Sequence, residues 1–352
     1  MEVKKDIMTP KERVGAFLGG KPLDRIVTMP IVTSNTAQLI GKSQKEFQLN
    51  AEVMAKSHIA GFEKFGYDLI YLFTNCSYLA EAMGQELVYF ENEPASCRNP
   101  VVKNPEDISK IKVAEGYEAN LPVYYEAIEL IQKEIGDRAN VSVCFSGAFS
   151  TASTLRGHEQ FIKDTYNNPE LCHELMKMAT ESAKNFITEV VKRGAIPIIL
   201  EPLSSGSLIS PRSFKQFSKP YITELVDHAH ELGTIIPLHI CGKTTKIIEQ
   251  MSETGADVLS IDLCDLEIAK EKVSGKSVIL GNVSPSDDLL FGPVERIHES
   301  CKNLIETMNG YEPGFILSTG CETSDKVPME NIQALMDSAR SYGVNEDFKK
   351  QD

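Results

Sequence analysis

The sequence lacks any apolar run near the ~18 residues that a membrane-spanning helix needs, so no membrane partner is expected. It also lacks an excess of positive charge. Lys plus Arg number 36 against 50 Asp plus Glu, a formal net charge of −14. A chain that works on phosphate backbones or anionic lipid needs a basic face, so nucleic acid is not expected as a partner either. The stretch 1–20 has no apolar segment long enough for a secretory signal, which makes the cytoplasm the expected compartment. No low-complexity tract, charge block or Pro/Gly/Ser linker divides the 352 residues, and one domain over 1–352 is expected. The eight cysteines do not form a disulfide framework in a chain this long without a signal. Six of them (Cys76, Cys97, Cys144, Cys172, Cys264 and Cys301) are expected to be buried small apolar residues.

What is present is 42% hydrophobic residues, enough for a sizeable core, in a repeated pattern. Short runs rich in Val, Ile and Leu (Val27 to Val32, Leu69 to Phe73, Val141 to Phe145, Ile196 to Leu200, Ile235 to Ile240, Val258 to Ile261, Val278 to Leu280 and Phe315 to Leu317) alternate with longer amphipathic segments. Runs with little polar alternation fit parallel strands covered on both faces. Thr9-Pro10-Lys11-Glu12 has the form of a capping box with proline at the first helical position. Ser210-Pro211 repeats the cap-then-proline device, and Pro328 opens the last long helix. Leu175, Ala179, Ala183, Phe186 and Val190 step by three or four residues and so share one helical face.

Strand alternating with helix eight times predicts an α/β fold, a single (β/α)₈ TIM barrel. The open doubly wound alternative would call for a glycine-rich phosphate turn after an early strand, and there is none. The connection between the second and third strand candidates is unusually long. Glu86 to Phe90 reads as a strand, Asn92-Glu93-Pro94 as a turn and Pro100 to Val102 as the return. The expected result is a hairpin and extra helices over the C-terminal face, where barrel enzymes keep their active sites.

Polar residues follow the strand candidates: Glu201 the fourth, His239 and Cys241 the fifth, Asp262 the sixth, Asn282 the seventh, and Gly320-Cys321 the eighth. His239 and Cys241 are two apart and point to the same side of an extended strand. An imidazole and a thiolate make a half-site for Zn²⁺. On spacing alone either Cys321 or Cys264 can supply the third ligand. Two thiolates and one imidazole leave a fourth position for an exchangeable ligand, which Glu201 or Asp262 could fill or orient. Glu201 could equally be a structural carboxylate, and Asn282 could simply cap a turn.

The ordered segments Leu238-His239-Ile240-Cys241-Gly242, Leu259-Ser260-Ile261-Asp262, Leu280-Gly281-Asn282-Val283-Ser284-Pro285 and Ser318-Thr319-Gly320-Cys321-Glu322 resemble the uroporphyrinogen decarboxylase superfamily. Within it, they resemble the zinc-containing corrinoid methyltransferases. Pro10-Lys11-Glu12-Arg13 with Pro22-Leu23-Asp24-Arg25, and Phe149-Ser150-Thr151-Ala152 before Leu155-Arg156-Gly157, are similar to the same superfamily. The resemblance spans nearly the whole chain and implies zinc held by His239, Cys241 and Cys321. The decarboxylases carry an arginine-rich segment after the first strand to hold a polycarboxylate. Pro30 to Gly41 here reads PIVTSNTAQLIG, with no arginine to pair with it.

The resemblance therefore implies methyl transfer between a small methylated substrate (an O-demethylase-type methyl ether, for example) or a thiol, and the cobalt of a corrinoid carried by a partner protein. Glu201 or Asp262 would manage the proton or the open coordination position, and Asn282 would position substrate. A decarboxylase-like lyase needing no metal, and a non-catalytic barrel that binds a corrinoid protein, are the alternatives.

Overall fold

The structure, a computed structural model, describes residues 2–348. Seven parallel strands lie side by side in chain order: β1 (Ile70–Leu72), β2 (Val141–Ser146), β3 (Ile196–Leu200), β4 (Pro237–Lys243), β5 (Val258–Leu263), β6 (Val278–Val283) and β7 (Phe315–Thr319). Every neighbouring pair is parallel, as expected when each strand returns through a helical crossover. The helix Pro169–Lys192 shows how the crossovers pack: Leu175, Ala179, Ala183, Phe186 and Val190 are all fully buried.

The curled sheet is completed by the chain that precedes it. Thr28 pairs in parallel with Leu317. Met29 N–H donates to Leu317 O (2.9 Å), Leu317 N–H to Val27 O (3.0 Å) and Asp68 N–H to Thr28 O (2.9 Å). The segment thus lies between β7 and the start of β1 and occupies the eighth position of a TIM-barrel-like α/β fold. It is not the full strand predicted over Val27 to Val32, and the backbone donors explain why. Thr28 N–H goes to the Asp68 carboxylate (2.7 Å), Ile31 N–H to the Thr319 hydroxyl (3.0 Å), and Pro30 has no N–H to give.

The two N-terminal motifs brace this closure from below. Helix α1 (Pro10–Leu18) starts at the expected capping box, with Thr9 and Glu12 bonded reciprocally. It carries Arg13 into the protein, where the guanidinium meets Asp24 (2.7 Å) and Asp68 (2.6 Å). Arg25 meets Asp68 (2.8 Å) and Asp6 (2.7 Å). Asp68 directly precedes β1, so the network belongs to the N-terminal face, the stabilising end of such barrels.

The long connection is there, but its hairpin is smaller than predicted. Val88 and Ser96 exchange both backbone hydrogen bonds (3.0 and 3.1 Å) in a single antiparallel bridge. The return is therefore at Ser96 and not over Pro100 to Val102, because Val102 N–H donates to Leu155 O instead (2.9 Å). The helices Tyr78–Ala82 and Leu121–Ile135 fill the rest of the connection. Ser210 caps the turn at Pro211 as predicted, and Pro328 precedes the helix Met329–Tyr342. Cys76 is exposed and Cys97 half-exposed, unlike the other four cysteines expected in the core. No helix among the described residues is long and apolar enough to cross a membrane.

Candidate metal centre

The side chains that follow β3 to β7 gather at the C-terminal face, but they do not all reach one point. His239, Cys241 and Cys321 do. Their ligand atoms all lie within 4.8 Å of one another. His239 is buried in β4, and its Nε2 is 3.6 Å from the Cys321 sulfur, 82 positions away in the chain. A tetrahedral ion with M–N of about 2.05 Å and M–S of about 2.3 Å sets such an N···S edge at about 3.6 Å. The residues present therefore fit a bound metal. Cys264 does not share in the cluster; its sulfur takes the Thr245 hydroxyl (3.7 Å).

Local geometry aims these ligands. The β4–β5 register shifts after Ile240, and Gly242 follows Cys241 with φ 71°, a left-handed conformation that glycine adopts readily. A Cβ there would lie 2.8 Å from Ser207 Oγ. His239 Nδ1 is 2.9 Å from Ser260 Oγ on β5, directly opposite in register. With Nδ1–H donating to that hydroxyl, Nε2 keeps its lone pair towards Cys321.

The thiols carry the electrostatics. Interaction with the Cys321 thiol, against the effect of burial and with help from His239, brings Cys241 down to about 4. The same interaction, with burial, pushes Cys321 up. One thiolate is thus easily formed and the second resists forming beside it. A cation between the two relieves that repulsion.

The other predicted residues hold the frame. Asp262 accepts Gly242 N–H (2.8 Å), and a Cβ on Gly320 would lie 2.7 Å from its other oxygen. Asp262 therefore sits between the turn after Cys241 and the turn before Cys321. Burial pushes its carboxyl upwards. Asn282 gives its amide to Asp262 O and Cys264 O (both 2.8 Å), tying down the loop after β5.

Glu201 is fully buried and turned to the start of the helix Ala148–Arg156. Its oxygens accept Phe149 N–H (3.0 Å), Ser150 N–H (3.0 Å) and the Ser150 hydroxyl (2.7 Å). Burial pushes it up to about 7 against these donors. It anchors a neighbouring helix and is not part of the three-residue cluster.

Beneath and around the cluster the barrel holds a cavity of about 1120 Å³, its open mouth included. Glu322, Thr33 and Cys76 line it beside the three ligands. The Thr33 hydroxyl donates to Glu322, whose carboxyl is pushed up to about 7 by burial, opposed by Thr33 and His239. Sequence reasoning passed over Ser260 and Glu322. Ser260 was accessible through alternation, two positions before Asp262 on the same strand, and Glu322 through its place directly after Cys321.

The uroporphyrinogen decarboxylase (URO-D) family pattern matches residues 9–342. The methylcobamide:CoM methyltransferase MtaA of Methanosarcina barkeri is 28% identical over 342 residues, 95% of this chain and 98% of that one. The methylcobamide:CoM methyltransferase MtbA of Methanosarcina acetivorans is 27% identical over 341 residues, again 95% and 98% of the two chains. The solved structure of a methyltransferase from Methanosarcina mazei superimposes with a TM-score of 0.85 at 28% identity, covering 94% of this chain and 98% of that one.

Proposed function

The chain belongs to the uroporphyrinogen decarboxylase family, and we propose that it is a zinc-dependent methyltransferase working with a corrinoid carried by a partner protein. The observation that carries the reading is the convergence of His239 Nε2 and the Cys241 and Cys321 sulfurs within 4.8 Å, at the end of the barrel where catalysis is housed. One imidazole and two thiolates are soft donors that favour zinc over the oxygen-seeking Mg²⁺ or Ca²⁺. The relatives named as methylcobamide:CoM methyltransferases support the corrinoid and exclude neither direction of transfer.

When bound, the ion acts as a Lewis acid that stabilises negative charge on a substrate oxygen or sulfur. The methyl group moves between that heteroatom and cobalt. In one direction the heteroatom keeps the bonding pair as cobalt supplies its own; in the other it donates the pair as cobalt recovers its own. His239, Cys241 and Cys321 would hold the ion beside the bound substrate. Asp262 fixes the backbone after Cys241 by accepting Gly242 N–H, and Ser260 fixes the imidazole. Asn282 holds the loop after β5 by its amide. Glu322, in the cavity wall, is placed to take the proton of an incoming thiol or return one to a departing oxygen. Glu201 orients the helix Ala148–Arg156 beside the site.

The test is metal analysis together with turnover. The purified protein is expected to hold close to one zinc per chain, and Cys321→Ser to lose it while keeping its fold. Mixed with a corrinoid protein, the wild type is expected to change the cobalt absorbance on methyl transfer. Wild-type protein that transfers methyl groups without any metal would overturn the reading.

A further inference from the structure

The cavity does not stop at the metal ligands. It follows the inward-facing, every-second residues of the strands down the barrel axis, through Leu200, Ile198 and Ile196 on β3 and through Pro237 and Ile235 leading into β4. It ends on Val14, Phe17 and Leu18 of helix α1. Four steps from Ile196 to Leu200 at about 3.3 Å each, along a strand tilted about 36° to the axis, give a chamber about 11 Å deep. Phe17 is fixed in this floor, since a Cβ on Gly314 would lie 2.7 Å from its ring.

The chemistry of the walls changes with depth. Thr33, Cys76, Glu322 and the three ligands surround the upper part, while the lower part is aliphatic and aromatic. Among the described residues that line it, His239 is the single basic side chain, and no lysine or arginine faces the space. The carboxyl at Glu322 adds acidic character instead.

Displacement at a methyl carbon requires the entering and leaving atoms on opposite sides of it. The three ligands stand at the C-terminal end of the strands, the face from which such barrels take their substrates, and the cavity runs from there down to α1, so a corrinoid ring approaches from above the metal. The methyl group of the bound substrate then faces the mouth, and the rest of the molecule points down into the chamber. From this we propose that the substrate places its oxygen or sulfur at the His239–Cys241–Cys321 centre and buries an uncharged aryl or alkyl tail below. An anionic tail such as a sulfonate is rejected, because burial without a countercharge is costly and nothing in the lower walls supplies one. The proposal rests on the methyltransferase reading above and narrows its substrate class.

The test is equilibrium thiol binding to cobalt(II)-substituted protein, read by the change in sulfur-to-metal charge-transfer absorbance over that of Cys241 and Cys321 alone, with benzyl mercaptan, ethanethiol and 2-mercaptoethanesulfonate as probes. Benzyl mercaptan is expected to bind about tenfold or more tightly than 2-mercaptoethanesulfonate, from the apolar area it buries. Ile198→Phe, an apolar change that fills the chamber, should weaken benzyl mercaptan while leaving ethanethiol unchanged. Equal or tighter binding of the sulfonated thiol overturns the substrate class and leaves the metal centre standing. A spectrum that no thiol perturbs overturns the proposal, and absence of any sulfur-to-cobalt band, even from Cys241 and Cys321, overturns the metal centre with it.

Discussion

Ser260 Oγ holds His239 Nδ1 at 2.9 Å across the β4–β5 pair. With Nδ1–H as the donor in this contact, Nε2 is the ring nitrogen free for a metal. Partners of this kind around metal-bound imidazoles contribute about 10- to 100-fold in affinity. Ser260→Ala is therefore expected to lower zinc affinity by that factor, measured against a chromophoric chelator, with the circular dichroism spectrum unchanged. Wild-type affinity in the variant would show that the ring is held by packing alone.

Gly320 tests the closeness of the two cysteine-bearing turns. A methyl group there meets Asp262 Oδ1 at 2.7 Å, and Asp262 is pinned by Gly242 N–H. Gly320→Ala is expected to cost about 1–3 kcal/mol in urea unfolding and to lower zinc affinity, because the displaced turn carries Cys321. Gly15→Ala is a control on the exposed face of α1, where a Cβ meets nothing within 4 Å; it should leave zinc binding unaltered.

The pH dependence of stability has two arms. Glu201 is raised to about 7, primarily by burial. A raised carboxyl contributes stability that is fully present below its unfolded value near 4.5 and is lost as pH rises through 7. Melting temperature should fall between pH 5 and 8 in the wild type, and Glu201→Gln should flatten that part of the slope. Glu201→Ala strands the N–H groups of Phe149 and Ser150, at about 1–3 kcal/mol, and should leave zinc content intact. Loss of zinc in Glu201→Gln would move this carboxylate into the metal centre.

The acid arm comes from Asp24. Burial acts to raise its carboxyl, but Arg13 and the N–H groups of Met8 and Ile7 outweigh it and hold it well below the ordinary 3.8. A lowered carboxyl contributes stability that is present above the unfolded value and lost as pH falls below it. Asp24→Asn should destabilise the protein at pH 7 by about 1–3 kcal/mol, the scale for losing charge-assisted hydrogen bonds, because Arg13 keeps its pair with Asp68. The gap to the wild type should narrow below pH 4, as followed by denaturant unfolding.

Much of this was legible in the residues. The order of strands, the caps at Thr9 and Ser210, and the placing of His239, Cys241 and Cys321 at strand ends follow from apolar runs and local spacing. What was hidden depends on where backbone donors go. Thr28 looks like a strand residue until Asp68, forty positions on, claims its N–H. Glu201 sits where a catalytic acid might be expected, yet its partners are N–H groups of a helix some fifty residues earlier. The hairpin closes at Ser96 because Val102 finds Leu155. Each is a long-range choice among local options, and periodicity does not encode it.

The distance along the chain between His239 and Cys321 has a consequence for biosynthesis. A ribosome delivers the imidazole and the first sulfur long before the second, so a nascent or truncated polypeptide carries only two of the three donors. High-affinity capture of the ion then becomes available only once the last strand has been made and has docked. On the proposed metal centre, loading would mark a barrel whose last strand is already in place.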